Sequence, residues 1–144
     1  MLAAMGARYF EPFYLGLLAE ALSVGGDIEE GLKVLAEALV GAEASGQKGN
    51  DAELHRLRGD LLRQLAEPDS IECEGCFREA LVIAREQGTH GSELRAAVSL
   101  ARLRRDQGRP AEARELLAPV YGRFTEGFDT LDLKEAKELL GGLA

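Results

Sequence analysis

Residues 94–120 read LRAAVSLARLRRDQGRPAEARELLAPV. Small and large apolar residues stand in a fixed order along this stretch, namely Ala101, Ala113 and Val120 with Leu100 and Leu117. The same order occurs in two earlier copies about forty residues apart, as Gly59, Cys73 and Ala80 with Phe77, and as Ala19, Gly31 and Ala38 with Leu18 and Leu35. A period of this length is typical of stacked helical hairpins, which present a concave binding surface. The repeat therefore says more about how the protein binds than about what it binds.

Composition and charge bound the class of protein. The chain has 144 residues, of which 46% are hydrophobic, and this suits one domain with its own core. Its net charge of −8 disfavours the broad neutralisation of phosphates that nucleic-acid binding requires. No apolar run approaches the roughly 18 residues that span a bilayer, and residues 1–6 lack the start of a secretory signal. We therefore expect no nucleic-acid partner, no membrane partner and a cytoplasmic location.

Helical periodicity and turn residues divide the chain into helices. Apolar residues recur at helical spacing, and residues of high helix propensity dominate. Gly46, Gly88 and Gly108 are predicted to end helices, whereas Pro110 suits the first position of one. The pattern predicts three hairpins and a terminal helix, at approximately residues 9–46, 50–88, 91–126 and 129–141.

Four helix starts carry capping signals, two of which are Asn50 with Glu53 and Asp69 with Glu72. Asp27 is followed three residues later by Glu30, which predicts a capping box at the second helix of the first hairpin. Asp129 or Thr130 is predicted to cap the terminal helix. Within each hairpin, short side chains are predicted to let the two helices cross closely, at Ala19 with Gly31, Gly59 with Cys73, and Ala101 with Ala113.

The order of small and large residues in each copy resembles the tetratricopeptide repeat, although the copies lack its early Trp and its closing Pro. A narrower resemblance is to the C-terminal helical-repeat region of large bacterial cyclase-like and regulator-like signalling ATPases. Four stretches carry it: Leu18-Ala19-Glu20-Ala21, AELHRL at 52–57, ELRAA at 93–97 and FTEGFDT at 124–130.

The resemblance implies an all-α fold, as a right-handed α–α superhelix of three tetratricopeptide-like hairpins plus a C-terminal capping helix. One domain then covers residues 1–144. The resemblance further implies protein–protein interaction or regulation without catalysis, in a segment of a longer bacterial signalling protein.

The pair Cys73 and Cys76 has the spacing of a zinc or redox site. A structural zinc site needs a second ligand pair, and the two histidines, His55 and His90, stand apart from each other. We therefore expect no metal, no cofactor and no catalytic residue, and we interpret Cys73 as a small packing residue. The alternative is that the nearby helix N-terminus lowers the pKa of the Cys76 thiol.

The resemblance also assigns a concave groove to the first helix of each hairpin. The groove positions are Phe13, Gly16, Glu20 and Ser23, then Glu53, Arg56, Asp60 and Arg63, then Arg95, Val98, Arg102 and Arg105. Five arginines among them face three acids, a surplus of two positive charges. Because arginine forks bind carboxylates, we expect a protein or peptide partner, with an acidic one favoured. The proposed binding residues are Arg56, Asp60, Arg63, Arg95, Arg102 and Arg105.

An alternative interpretation of these arginines is ordinary surface pairing with Glu53, Asp60 and Asp106. A second hypothesis concerns aromatic residues near the start of the chain, Tyr9, Phe10, Phe13 and Tyr14, which are four of its eight aromatics. They could belong to a longer repeat array, pair with a second copy to make a homodimer through the N-terminal hairpin, or fill the interior of the first hairpin.

Overall fold

The computed structural model describes residues 27–46, 49, 51–65 and 71–143. These residues form six helices and no strand, so the all-α prediction is confirmed for this part of the chain. In chain order the helices are α1 (Ile28–Ser45), α2 (Asp51–Leu65), α3 (Ile71–Gln87), α4 (His90–Asp106), α5 (Pro110–Gly122) and α6 (Leu131–Gly142). The first helix of the predicted first hairpin and its aromatic cluster lie outside the described residues.

Helix ends follow the predicted turn residues. Gly88 has φ of 67°, a left-handed conformation that favours glycine. Its N–H donates to the Arg85 carbonyl at 3.2 Å, while the N–H of Thr89 donates to the Ala84 carbonyl at 3.0 Å. These two hydrogen bonds close the last turn of α3, and the chain then turns into α4. Pro110 begins α5, as predicted from its missing N–H.

The two predicted side-chain caps that lie within the described residues are wrong, whereas those at Asn50 and Asp69 lie outside them. Asp27 stands at the N-cap of α1, but its side chain makes no capping bond, because its ψ of 70° lies outside the extended region that N-caps adopt. Thr130 stands at the N-cap of α6, and its hydroxyl instead donates to the Gly127 carbonyl at 2.7 Å. At both starts the backbone carbonyl alone accepts the first helical bond, from Gly31 at 3.1 Å and from Lys134 at 3.0 Å.

Consecutive helices pack against each other along the chain, and α4 also packs against both α2 and α6. One core cluster joins residues of α3, α4, α5 and α6, and a smaller one joins α1 to α2. As a result, α2, α4 and α6 are neighbours although they are not consecutive in sequence. This adjacency brings the arginine-bearing helices together.

The second hairpin has the close crossing predicted from its small residues. The Cys73 thiol donates to the carbonyl oxygen of Gly59 at 3.2 Å. The Phe77 ring lies against Gly59, so close that a Cβ at position 59 would be 2.6 Å from Phe77 Cε1. In the third hairpin, Ala101 and Ala113 are both fully buried in the larger core cluster. The predicted partner of Gly31 lies outside the described residues.

Candidate functional site

Three of the predicted arginines meet in one depression on the face shared by α2, α4 and α6. The depression has a volume of about 200 Å³. We call it the arginine pocket, and it is lined by Arg56, Arg95, Val98, Ser99, Arg102, Asp132 and Glu135. Arg95 and Arg102 stand seven residues apart on α4. Because seven residues make about two helical turns, both arginines lie on the same face of α4.

Arg56 and Arg95 belong to a chain of ion pairs that crosses three helices. Arg56 donates to the Glu53 carboxylate from Nε and Nη2, both at 3.1 Å, and to Asp60 from Nη1 at 2.9 Å. Glu53 also accepts from Arg95 Nε at 3.0 Å, and Arg95 Nη1 continues to Asp132 at 2.8 Å. The ion-pair chain therefore runs from α2 through α4 to α6, with Glu53 shared by two guanidinium groups.

Arg102 differs from the other two arginines of the pocket. Its ion pair among the described residues joins Nη2 to Glu135 Oε2 at 3.6 Å, which is longer than a hydrogen bond. Its side chain is 40% exposed. A guanidinium carries five N–H donors, so Arg102 keeps donors that face solvent at the pocket.

The remaining two predicted arginines lie elsewhere on this face. Arg63 pairs with Asp106, and Arg105 Nε contacts the same carboxylate at 3.1 Å. All three residues stand near the C-terminal ends of α2 and α4, and neither arginine lines the arginine pocket. The structure thus divides the predicted binding residues into two groups.

Charge on this face is balanced among the described residues. The five arginines are matched by five carboxylates, those of Glu53, Asp60, Asp106, Asp132 and Glu135. The predicted surplus of two positive charges was counted over groove positions that lie partly outside the described residues, whereas the alternative of internal pairing agrees with these contacts. Asp132 and Glu135 were missed because the terminal helix was interpreted only as a cap. The sequence indicates them by their spacing of three residues, which places both acids next to each other on the surface of α6.

The pKa values of the two acids that pair with Arg56 are shifted in opposite directions. Burial alone would raise the pKa of Glu53, but the hydrogen bonds and charges of Arg56 and Arg95 outweigh burial and hold that pKa below its usual value. Partial burial raises the pKa of Asp60, and the nearby arginines only partly offset it. Of these two carboxylates, Glu53 is therefore the one whose ionised form stabilises the folded chain at neutral pH.

Replacing Glu53 with glutamine is expected to destabilise the protein in a pH-dependent way. Because the folded pKa of Glu53 is lowered, its stabilising contribution is present above the unfolded pKa of about 4.3 and disappears as pH falls through the folded pKa. Urea denaturation at several pH values should therefore give a difference in unfolding free energy between wild type and E53Q that is largest near neutral pH and shrinks as the pH falls below the unfolded pKa of about 4.3. A difference that grew on acidification would contradict the assignment.

The two cysteines have the environment of packing residues. Both are buried thiols and no disulfide joins them. Burial raises the pKa of Cys73 to about 11. Burial also raises the pKa of Cys76, even though Arg58 Nη1 donates to its sulfur at 3.1 Å. The alternative prediction of a lowered Cys76 pKa is therefore wrong, because loss of hydration outweighs the nearby positive charge.

A buried glutamate that the sequence interpretation missed holds three segments together. Glu93, on α4, accepts from Arg85 Nε at 2.9 Å and from Arg123 Nη1 at 3.2 Å. The sequence does indicate that Glu93 is buried, because Ala97 and Leu100 follow it at helical spacing on the buried side of α4. A depression of about 220 Å³ adjoins it, lined by His90, Glu93, Val120, Arg123, Phe124, Thr125 and Glu126.

The described residues contain no cluster of three His, Cys, Asp or Glu side chains that could hold a metal ion. None of the six described helices combines the length and apolar character needed to cross a membrane. No protein-family model, curated protein or solved structure matches the chain. The resemblance to tetratricopeptide and signalling proteins therefore depends on the quoted residues alone.

Proposed function

We propose that this chain is a non-catalytic binding module that takes a carboxylate of a protein or peptide partner at the arginine pocket. Arg102 carries the proposal, because it is 40% exposed and its ion pair with Glu135 is 3.6 Å long. A new carboxylate gains a charge-assisted hydrogen bond from such a guanidinium, and a bidentate contact adds orientation. Arg56 and Arg95 play a different part, because the ion-pair chain already engages their donors on both sides.

The size of the pocket limits what enters it. Sites for small-molecule ligands usually have volumes of about 300 Å³ or more. The arginine pocket has about 200 Å³, which suits one acidic side chain or a terminal carboxylate with the rest of the peptide lying outside. The favoured ligand is therefore a segment of another protein rather than a metabolite.

The adjacency of α2, α4 and α6 supports the wider part of the proposal, a tetratricopeptide-like right-handed superhelix whose alternate helices line one face. By its resemblance to signalling ATPases, we assign the module a regulatory role inside a larger cytoplasmic bacterial protein. The alternative function, self-association through the aromatic residues of the N-terminal hairpin, lies outside the described residues.

The proposal predicts that Arg102→Gln weakens binding of an acidic peptide. The measurement is the fluorescence anisotropy of a labelled oligoglutamate peptide of about ten residues, titrated with wild type and with each variant. A hydrogen bond between charged groups contributes about 1.5–3 kcal/mol, so we expect the affinity to fall about 10- to 100-fold. Glutamine is chosen over glutamate because it removes the charge without adding repulsion toward Glu135.

Arg114→Gln is the matched control. Arg114 is exposed on α5, which does not line the arginine pocket, and the variant makes the same change in net charge. Its affinity for the peptide should stay within about twofold of wild type, because an exposed charge at this distance is screened by salt. Equal losses from both substitutions would mean that the peptide senses only net charge. Circular dichroism spectra of both variants should show the helical content of wild type.

A further inference from the structure

Side chains of α6 occupy the arginine pocket from within the same chain. Asp132 contacts Arg95 at 2.8 Å, and Glu135 contacts Arg102 at 3.6 Å. Both acids line the pocket together with the arginines. Each of them therefore lies where a carboxylate of a partner would have to bind.

The helix that carries these acids is fixed, but the acids themselves are not enclosed. Leu133, Ala136 and Leu139 are buried in the larger core cluster and hold α6 in place. Asp132 and Glu135 have side chains 36% and 40% exposed. Rotation of the Glu135 side chain into solvent consequently opens access to Arg102 without any movement of α6.

The Asp132–Arg95 and Glu135–Arg102 contacts differ in what would be lost if each were broken. Asp132 holds one end of the ion-pair chain, whose other members remain paired through Glu53. Glu135 makes one long contact, and at an exposed position such a pair contributes little to stability. Glu135 is therefore the residue that can be displaced at small cost, and Asp132 is the residue that keeps Arg95 in position.

We propose that Glu135 is a built-in competitor that sets how strongly an acidic partner must bind in order to reach Arg102. This inference rests on the proposed function of the arginine pocket. A partner with a single isolated carboxylate gains little over Glu135, which is tethered beside Arg102 and needs no association. A partner displaces Glu135 when it presents several carboxylates, or when its single carboxylate is supported by neighbouring contacts. The pocket thus selects acidic segments over single acidic residues.

The test is the same oligoglutamate titration with Glu135→Gln. Removing the competitor also removes a negative charge beside the incoming carboxylate, so the affinity should rise about tenfold. Glu138→Gln is the control, because Glu138 is exposed one turn further along α6 and does not line the pocket. Its affinity should change by less than about twofold. A free glutamate side chain, tested as N-acetylglutamate amide in competition, should have a lower inhibition constant on E135Q than on wild type, once the constant is corrected for the affinity of the labelled peptide.

The double variant R102Q/E135Q separates this inference from the proposed function. If Glu135 competes for Arg102, the gain from E135Q becomes smaller once Arg102 is absent, because only the relief of charge repulsion remains. Binding that depends on Arg102 but is unchanged by E135Q would overturn the competitor and leave the proposed function standing. An equal gain from E135Q and E138Q would also overturn it. If neither wild type nor E135Q shows binding that depends on Arg102, the proposed function itself fails.

Discussion

Alanine at position 59 is expected to destabilise the protein by about 1–2 kcal/mol, although alanine normally favours a helix over glycine. Gly59 lies inside α2, and an added Cβ would stand 2.6 Å and 2.8 Å from two carbons of the Phe77 ring. The ring is fully buried and cannot swing into solvent. Overpacking of this kind costs about 1–3 kcal/mol, which exceeds the gain of up to about 1 kcal/mol in helix propensity.

Gly75→Ala makes the same chemical change with the opposite expected sign. Gly75 lies inside α3, and nothing stands within 4 Å of where its Cβ would be. Only the propensity gain remains, so this variant should be stabilised by about 0.5–1 kcal/mol. Thermal unfolding of both variants beside wild type measures the two shifts, and a lower melting temperature for G75A would contradict the explanation by contact with Phe77.

A second substitution tests the contact itself. The third copy of the repeat combines Ala101 with Leu117 where the second copy combines Gly59 with Phe77. The larger ring is thus matched by the smaller residue across the hairpin. In the double variant Gly59→Ala with Phe77→Leu, the loss should therefore be smaller than the sum of the two single losses, by about 0.5 kcal/mol or more.

Removing the two arginines around Glu93 is expected to lower the free energy of unfolding by about 3–5 kcal/mol, which is more than the effect of Gly59→Ala. The Glu93 side chain is 5% exposed, and Arg85 and Arg123 supply its ion pairs. In the double variant Arg85→Met with Arg123→Met, the buried carboxyl group of Glu93 loses both of its ion-pair partners. Methionine has no donor, so it cannot replace either hydrogen bond. Urea denaturation of wild type and variant gives the difference in unfolding free energy.

Replacing the glutamate instead of the arginines should destabilise the protein less, because the arginines are more exposed than the glutamate. In Glu93→Gln, Arg85 and Arg123 remain with side chains 49% and 54% exposed, and water can solvate them. The triple variant, with Gln at 93 and Met at both arginine positions, should be more stable than the double arginine variant. If the triple variant is the less stable of the two, the buried charge is not the source of the loss.

Local features of the fold could be predicted from the sequence, because they depend on a few neighbouring residues. Gly88 and Gly108 end helices and Pro110 begins one, as their backbone preferences indicate. The contact of Gly59 with Cys73 also follows from the repeat, since it lies within one hairpin. The side chain of Asp27 makes no cap because the backbone angles at that residue are not those of a capping residue.

The candidate site was only partly predictable, because its pairs join distant parts of the chain. The resemblance to the tetratricopeptide repeat predicted one face for Arg56, Arg95 and Arg102, and all three line the arginine pocket. Their partners on α6 depend on how that helix rests on α4, as the Arg95 to Asp132 pair does across 37 positions. No periodicity within a helix encodes that crossing. Composition counted the acids of the chain but could not show which of them neutralise the arginines.

The balanced ion pairs of the arginine face have a consequence for binding rates. Matched charges produce little field beyond contact distance, while the chain as a whole carries a net charge of −8. An acidic partner is therefore repelled during approach and attracted only once it reaches Arg102. Added salt screens the repulsion and speeds encounter, while it also weakens the final contact and speeds release. Such a site exchanges its partners faster as ionic strength rises.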